Sequence, residues 1–203
     1  MRTGQPDQKR GKIPLEKLIL TATMETIEDN KISGTRLREI AKRAGISQGH
    51  MHYYYPSKDE LLLHLLDYLE EVFIEERKGV LADQSISPEE KLHVFLEQEI
   101  YLIHHGQEMK VFLDYWVQGT ANAVIRAKIG KMYARWRADI RTVIDSGVQA
   151  GVFKPQNAAI VPAILSSMMD GASLQYMMDE NALDLQDYFN TVYTIILHLL
   201  KSS

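Results

Sequence analysis

The stretch from Ser47 to Tyr55 carries side chains that form directed hydrogen bonds: one amide, two imidazoles and three consecutive phenols. Successive residues of a helix point about 100° apart, so three adjacent tyrosines cannot all face a core. At least one must point outward, beside Gln48. An outward amide can pair with adenine, and an aromatic ring can meet a thymine methyl group. This stretch therefore has the chemistry to contact base edges, and its alternative interpretation is a helical hairpin with a tyrosine core.

Two short predicted helices position these side chains. Residues 36–44 carry Ile40, Ala41 and Ala44 on one stripe, and Gly45 follows, where a left-handed turn is favoured. Ser47 is the expected N-cap of the second helix. We expect Ile46 to fill the turn, and Met51 with Tyr54 or Tyr55 to anchor the second helix. Two apolar-faced helices around a glycine turn are typical of a helix-turn-helix.

In a helix-turn-helix the start of the second helix enters the major groove. The residues predicted to face base edges are Gln48, Gly49, His50 and Tyr53. A second set is predicted to contact phosphates, which fix the position on the duplex without reading its sequence: Thr35, Arg36, Ser47, His52, Tyr54 and Lys58.

Residues 12–62 resemble the N-terminal part of the tetracycline-repressor (TetR) family. The positions that carry the resemblance are Ala41, Ala44, Gly45, Ser47, Gly49, Tyr55, Pro56, Lys58 and Leu61. His52 departs from the pattern, because the family usually has a phosphate-contacting tyrosine there. The resemblance implies a ligand-responsive repressor of a palindromic operator. It also implies a C-terminal region that binds a small-molecule inducer and forms a homodimer through its last two helices.

The whole chain is expected to be all-α, with about nine helices. We predict a DNA-binding domain over 12–60 and an effector-binding and dimerisation domain over 61–203. Residues 1–60 carry 11 basic and 8 acidic residues, against 12 and 19 in the remainder, within a net charge of −4. Residues 1–11 are expected to be a disordered arm, and residues 29–34 to break the first helix. Later helices are expected at roughly 88–105, 108–118, 121–150, 157–179 and 184–201.

The C-terminal part contains two sets of candidate residues. Aromatic rings and methionines commonly line apolar pockets, although such stripes are often plain core. The candidate pocket residues are Tyr101, His104, Met109, Phe112, Trp116, Met132, Trp136, Met168 and Tyr176. The last two helices carry wide apolar arcs, which favour burial against a partner. The candidate dimer residues are Ile164, Met168, Gly171, Tyr188, Val192, Ile196 and Leu199.

Several function classes are disfavoured by what the sequence lacks. The chain has no cysteine, which excludes disulfides and thiolate zinc sites. His104 and His105 have no third ligand at metal spacing, so no metal is expected, and no cofactor is expected either. No nucleophile elbow, phosphate loop or HExxH motif suggests an enzyme. No signal peptide or apolar span is visible, so a soluble cytoplasmic protein is expected. The alternatives are an activator or dual regulator on the same scaffold, and a helical scaffold protein without DNA binding.

Overall fold

The computed structural model describes residues 14–202, apart from the side chain of Glu76. The predicted arm over 1–11 and the first residues of the predicted DNA-binding domain therefore lie outside the described residues. Within them the chain is helical, without strands, which confirms the all-α prediction. The helices are α1 Leu15–Gly34, α2 Leu37–Arg43, α3 Gln48–Tyr54, α4 Lys58–Ala82, α5 Pro88–His105, α6 Gln107–Ala121, α7 Ala123–Gln149, α8 Val161–Met178 and α9 Leu185–Lys201.

The chain divides into two compact units, Met1–Leu61 and Leu62–Ser203, and the division falls within α4. In the first unit α1 packs on α2, and α2 packs on α3. Its interior is formed by side chains from all of these helices: Ile19, Leu20, Met24, Ile27, Ile32, Ile40, Ala41, Met51 and Tyr55.

The first helix is interrupted within the segment where the sequence predicts a break. Lys31 has φ 59° and ψ 165°, a conformation that a side chain other than glycine rarely adopts. The Lys31 carbonyl accepts two hydrogen bonds from Thr35, one from the Thr35 amide at 3.2 Å and one from the Thr35 hydroxyl at 2.8 Å. The kink thus turns the chain from α1 into α2.

The second unit is built around α5, which packs against α7, α8 and α9. Ser87 caps α5 by accepting a hydrogen bond from the Glu90 amide, and Pro88 occupies the first turn, as its missing N–H allows. The interior combines aliphatic stripes from four helices with two phenylalanines: Leu92, Phe95, Leu96, Ile140, Val143, Ile144, Leu165, Phe189, Val192 and Ile196.

The segment between α7 and α8 closes over the end of α9. Phe153 lies against Gly147 so tightly that a Cβ on Gly147 would meet the ring at 2.1 Å. The next amide, Lys154 N–H, donates to the Leu200 carbonyl at 2.6 Å. The Asn157 side chain donates to the Leu199 carbonyl at 2.7 Å. These two bonds satisfy carbonyls that the end of a helix leaves without intrahelical partners.

Candidate functional site

The α3 helix is a short helix with one buried side and one exposed side. Ser47 accepts a hydrogen bond from the His50 amide at 3.2 Å, and Gly45 has φ +69°, as the sequence predicts for the N-cap and the turn. Met51 is fully buried, whereas Tyr53 is 82% exposed. Gly45 and Met51 together fix the helix so that its opposite face is presented to solvent.

The residues predicted to contact base edges share this exposed side. Gln48, Gly49, His50 and Tyr53 are all exposed, and a Cβ at Gly49 would meet only the Ser47 hydroxyl, at 3.9 Å. Tyr54 is also exposed, its ring 5.6 Å from that of Tyr53 in an edge-on arrangement. Tyr55, rather than Tyr54, is the tyrosine that anchors the helix in the core. Its burial raises the pKa of the Tyr55 phenol to about 12.

Two of the predicted phosphate contacts have partners inside the first unit. Thr35 is only 2% exposed, and its hydroxyl donates to the Lys31 carbonyl, which argues against a phosphate contact by that hydroxyl. The Lys58 ammonium donates to the Ile32 carbonyl at 2.6 Å and so stabilises the end of α1. It also donates to the Ser33 carbonyl at 3.4 Å, which leaves one proton for a further acceptor. The remaining members of the set are exposed: Arg36, Ser47, His52 and Tyr54.

A cavity of about 70 Å³ lies within the second unit, among α4, α5, α6, α7 and α8. Four of the predicted pocket residues line it: Met109, Phe112, Met132 and Trp136. Residues that the sequence did not single out complete the lining: Glu70, Phe73, Ile74, Arg77, Glu99, Leu102, Tyr133, Arg135 and Asp170.

Five predicted pocket residues lie outside this lining. Trp116 does not line the cavity itself, but its indole donates a hydrogen bond to the side chain of Tyr133, which does. Met168 lines a groove on the α8–α9 surface. The other three form an aromatic cluster joining α5 and α8, in which the Tyr176 hydroxyl lies 3.0 Å from His104 Nδ1 and Tyr101 stacks on His105.

The cavity holds two carboxyl groups with hydroxyl partners. Tyr133 donates to Asp170 Oδ1 at 3.0 Å, and Ser173 donates to Glu99 Oε1 at 3.1 Å. Burial disfavours the charged form of Asp170 and raises its pKa to about 6, against the lowering effects of Tyr133 and Arg137. The pKa of Tyr133 is raised well above its usual value, first by burial and then by the Asp170 charge.

A signal for these carboxyl groups is present in the sequence. Glu99 falls on the same stripe as Leu92, Phe95, Leu96 and Ile103, and an acid among apolar neighbours at helical spacing indicates a buried charge. Asp170 is the one charged residue between Val161 and Met178. Composition-based reasoning favoured aromatic and methionine residues and therefore missed both.

The predicted dimer residues fall into two groups. Ile164, Met168, Gly171 and Tyr188 line a shallow surface groove, and a Cβ at Gly171 would meet nothing within 4 Å. Val192 and Ile196 instead face the interior of the second unit, where they are almost fully buried. Leu199 is half-buried against the same core. The structure thus brings only the first group together on an exposed surface.

Comparison with known proteins gives two family matches in succession along the chain. Residues 19–65 match the model of "Bacterial regulatory proteins, tetR family". Residues 88–201 match that of "BetI-type transcriptional repressor, C-terminal". Among curated proteins, the fatty acid metabolism regulator protein of Bacillus subtilis (strain 168) is 21% identical over 94% of this chain and 96% of its own length.

Two solved structures share the fold and contain ligands. FadR from Bacillus subtilis in complex with stearoyl-CoA has a TM-score of 0.78 and 20% identity, covering 91% of this chain and 98% of that one. A transcriptional regulator from Saccharomonospora viridis in complex with choline has a TM-score of 0.81 and 25% identity, covering 93% and 98%.

None of the helices within residues 14–202 combines the length and apolarity that a bilayer crossing requires. TetR regulators bind operator DNA, dimerise and bind small-molecule effectors. With one family model matching the helix-turn-helix and the other more than half of the chain, this protein belongs to the TetR family and is a ligand-responsive, DNA-binding transcriptional regulator rather than an enzyme.

Proposed function

We propose that this protein is a repressor. It binds a near-palindromic operator as a homodimer and dissociates from it when an effector binds in the cavity of the second unit. The observation that carries the proposal is that α3 is held in place by its buried side while its polar side chains face solvent. Its buried Met51 and capping Ser47 fix the helix, while Gln48, His50 and Tyr53 are exposed. Rigid placement of a few polar side chains is what base-edge recognition in the major groove requires.

The proposed dimer contact is the groove on α8 and α9. Its lining is apolar at Ile164 and Met168, and the absence of a side chain at Gly171 leaves room for a helix of a second copy. Exposed Leu174 and Ile195 extend the apolar surface along the same two helices. Two copies would place their α3 helices about one DNA turn apart, roughly 34–36 Å, in successive major grooves.

The proposed link between cavity and DNA is α4, whose first residues belong to the first unit and the rest to the second. Within the second unit, the Tyr115 hydroxyl donates to the Leu62 carbonyl at 2.6 Å. Lys128 donates to the Leu63 carbonyl at 3.3 Å and pairs with Asp67. These residues lie on α6 and α7, which also line the cavity. An effector that prefers one arrangement of these helices would shift the population of α4 positions by its difference in affinity.

The test is selection of binding sites from random duplexes, followed by fluorescence anisotropy on the selected sequence. We expect a palindromic consensus, two chains per duplex and binding that weakens steeply with salt. Transcription from a promoter carrying the consensus should fall when the protein is added; a rise would show an activator. A protein that distinguishes no oligonucleotide from another would contradict the proposal.

A further inference from the structure

We propose that His50 and His52 contact the operator as imidazolium ions, so that the protein takes up protons when it binds DNA and binds more tightly as the pH falls. This inference rests on the proposal that α3 enters the major groove. It adds the charge state in which α3 is bound and the response of operator binding to pH.

The α3 helix has no permanently charged side chain. Residues 48–54 contain no lysine, arginine, aspartate or glutamate. The only side chains of α3 that can become positive are the imidazoles of His50 and His52, and residues 1–61 contain no other histidine. Histidine is the residue whose charge ordinarily changes between about pH 5 and 8. The charge that α3 presents to DNA therefore depends on pH in this range.

The two imidazoles lie on opposite flanks of the exposed side of α3. Successive helical residues point about 100° apart, so His50 and His52 lie on either side of the direction taken by the buried Met51. Tyr53 points away from the core between them and is 82% exposed. A helix with its side chains is about 10–12 Å across and the major groove about 12 Å wide. Side chains on the two flanks therefore reach the phosphates of the two strands, or the base edges beside them.

Neither imidazole is engaged within the protein. Both side chains are exposed, and across residues 14–202 neither forms a hydrogen bond, an ion pair or a ring contact. The helix packed on α3 is α2, and α4 follows α3 in the chain. The charged and titratable groups around the imidazoles, on α2, on α3 and at the start of α4, are Arg36, Arg38, Glu39, Lys42, Arg43, Tyr53, Tyr54, Lys58, Asp59 and Glu60. Both rings are thus available to a ligand outside the protein.

The described part of the first unit has no surplus of positive charge. Residues 14–61 carry seven basic and seven acidic side chains, and the four basic and one acidic residues of 1–13 lie outside the described residues. Arg43, one of the seven basic residues, is already paired with two acids of α1. Protonation of both His50 and His52 would give residues 14–61 a net charge of +2. Because affinity for DNA depends strongly on the number of phosphates neutralised, this change should be visible in binding.

Protonation also changes the hydrogen bonds that an imidazole can form. A neutral ring donates one hydrogen bond, whereas an imidazolium donates two, and its bonds to phosphate oxygens are charge-assisted. Phosphate oxygens favour the charged ring, so the complex holds protons that the free protein has released. Affinity is therefore greatest at a pH where the free rings are already protonated, and it falls as the pH rises.

The experiment measures the affinity of the full chain for the selected operator by fluorescence anisotropy. Between about pH 8 and about pH 6, at constant ionic strength, we expect the affinity of the wild type to rise roughly tenfold. The slope of log affinity against log salt should become steeper by about one unit for each imidazolium that contacts a phosphate. An affinity or a salt slope that does not change with pH would overturn the inference.

The double variant His50→Gln, His52→Gln removes both titrating groups and retains side chains that donate hydrogen bonds. Its affinity should differ by less than about twofold between the two pH values. The matched control is His198→Gln, which removes an exposed histidine of α9 in the second unit and should keep the wild-type response. A double variant that responds to pH as the wild type does would overturn the inference, because the protons would then belong to other groups, such as Asp170 with its pKa of about 6.

His52→Arg keeps the inference testable if the double variant does not fold or binds no DNA. A permanent positive charge at this exposed position should tighten binding at about pH 8 by roughly threefold and weaken the pH response. Binding weaker than that of the wild type at the same pH would overturn it. If an operator is selected but its affinity is independent of pH, this inference fails and the proposed function stands. If no operator can be selected, the proposed function itself fails.

Discussion

The α3 helix and the cavity of the second unit place their functional side chains in opposite environments. In α3 the candidate residues are exposed, and one buried methionine holds them in place. In the cavity the candidate residues are enclosed, and the same rings and methionines could equally form a continuous core. Substitutions on α3 should therefore separate stability from binding, whereas substitutions in the cavity should change both.

The largest expected effect is on the buried side of α3. Met51→Ala removes a fully buried side chain and should lower the free energy of unfolding of the first unit by about 2–5 kcal/mol. Chemical denaturation followed by circular dichroism measures it. Met178→Ala is the control, since Met178 is 75% exposed and its loss should change stability by less than about 0.5 kcal/mol. Equal effects of the two substitutions would show that Met51 does not anchor the helix.

The next effect is on the exposed side of the same helix. Tyr53→Ala should weaken operator binding by about 1–3 kcal/mol, or roughly 5- to 150-fold, because contacts to a base edge are lost. The melting curve should stay unchanged, because the Tyr53 side chain is 82% exposed. Tyr101→Ala removes an exposed tyrosine from the second unit and should leave DNA affinity unaltered. An unchanged operator affinity for Tyr53→Ala would remove this residue from the interface.

In the cavity, Asp170→Asn should raise stability in a pH-dependent way. The pKa of Asp170 is raised from 3.8 to about 6, so between these values the native state holds a proton that the unfolded state has lost. Stability of the wild type therefore falls as pH rises through this window. The variant should gain about 1–3 kcal/mol above pH 7 and nothing below pH ~3.8. A gain that did not vary with pH would assign the effect to packing instead.

The smallest expected effect concerns the contact of Tyr115 with α4. Tyr115→Phe removes a buried hydroxyl that donates to the Leu62 carbonyl and should cost about 1 kcal/mol of stability. Tyr176→Phe removes an exposed hydroxyl near His104 and should cost less. If Tyr115 links the cavity to α4, its variant should also change the effector concentration that releases the operator, while Tyr176→Phe should not. Release at the wild-type concentration in both variants would leave Tyr115 a purely structural role.

Local patterns were sufficient to predict the first unit. The spacing of Ile40, Ala41 and Ala44, the turn at Gly45 and the cap at Ser47 act within a few residues of each other, so their geometry follows from short-range rules. Thr35 and Lys58 show the limit of those rules. Their positions fit phosphate contacts, yet their bonds to Lys31 and Ile32 arise from the kink in α1, which periodicity does not reveal.

The cavity could be predicted only in part, because five helices contribute to it. Met109, Phe112, Met132 and Trp136 were found by residue type, but Tyr101 and Tyr176 have similar chemistry and lie elsewhere. Which side of a helix faces a void depends on how its neighbours pack. Val192 and Ile196 illustrate this on α9, since the same apolar arc that predicts a dimer contact is used by the core of the second unit.

The closure of the loop after α7 over the last turn of α9 bears on how the protein can be shortened. Lys154 and Asn157 donate to the Leu200 and Leu199 carbonyls, and Lys201 pairs with Glu89 on α5. Deleting the final five residues would take away both acceptors and leave two donors and a tightly packed phenylalanine without their support. The last turn of α9 therefore stabilises the second unit by joining the loop after α7 to α5. Truncated versions meant for crystallisation or fusion should retain the chain through Lys201.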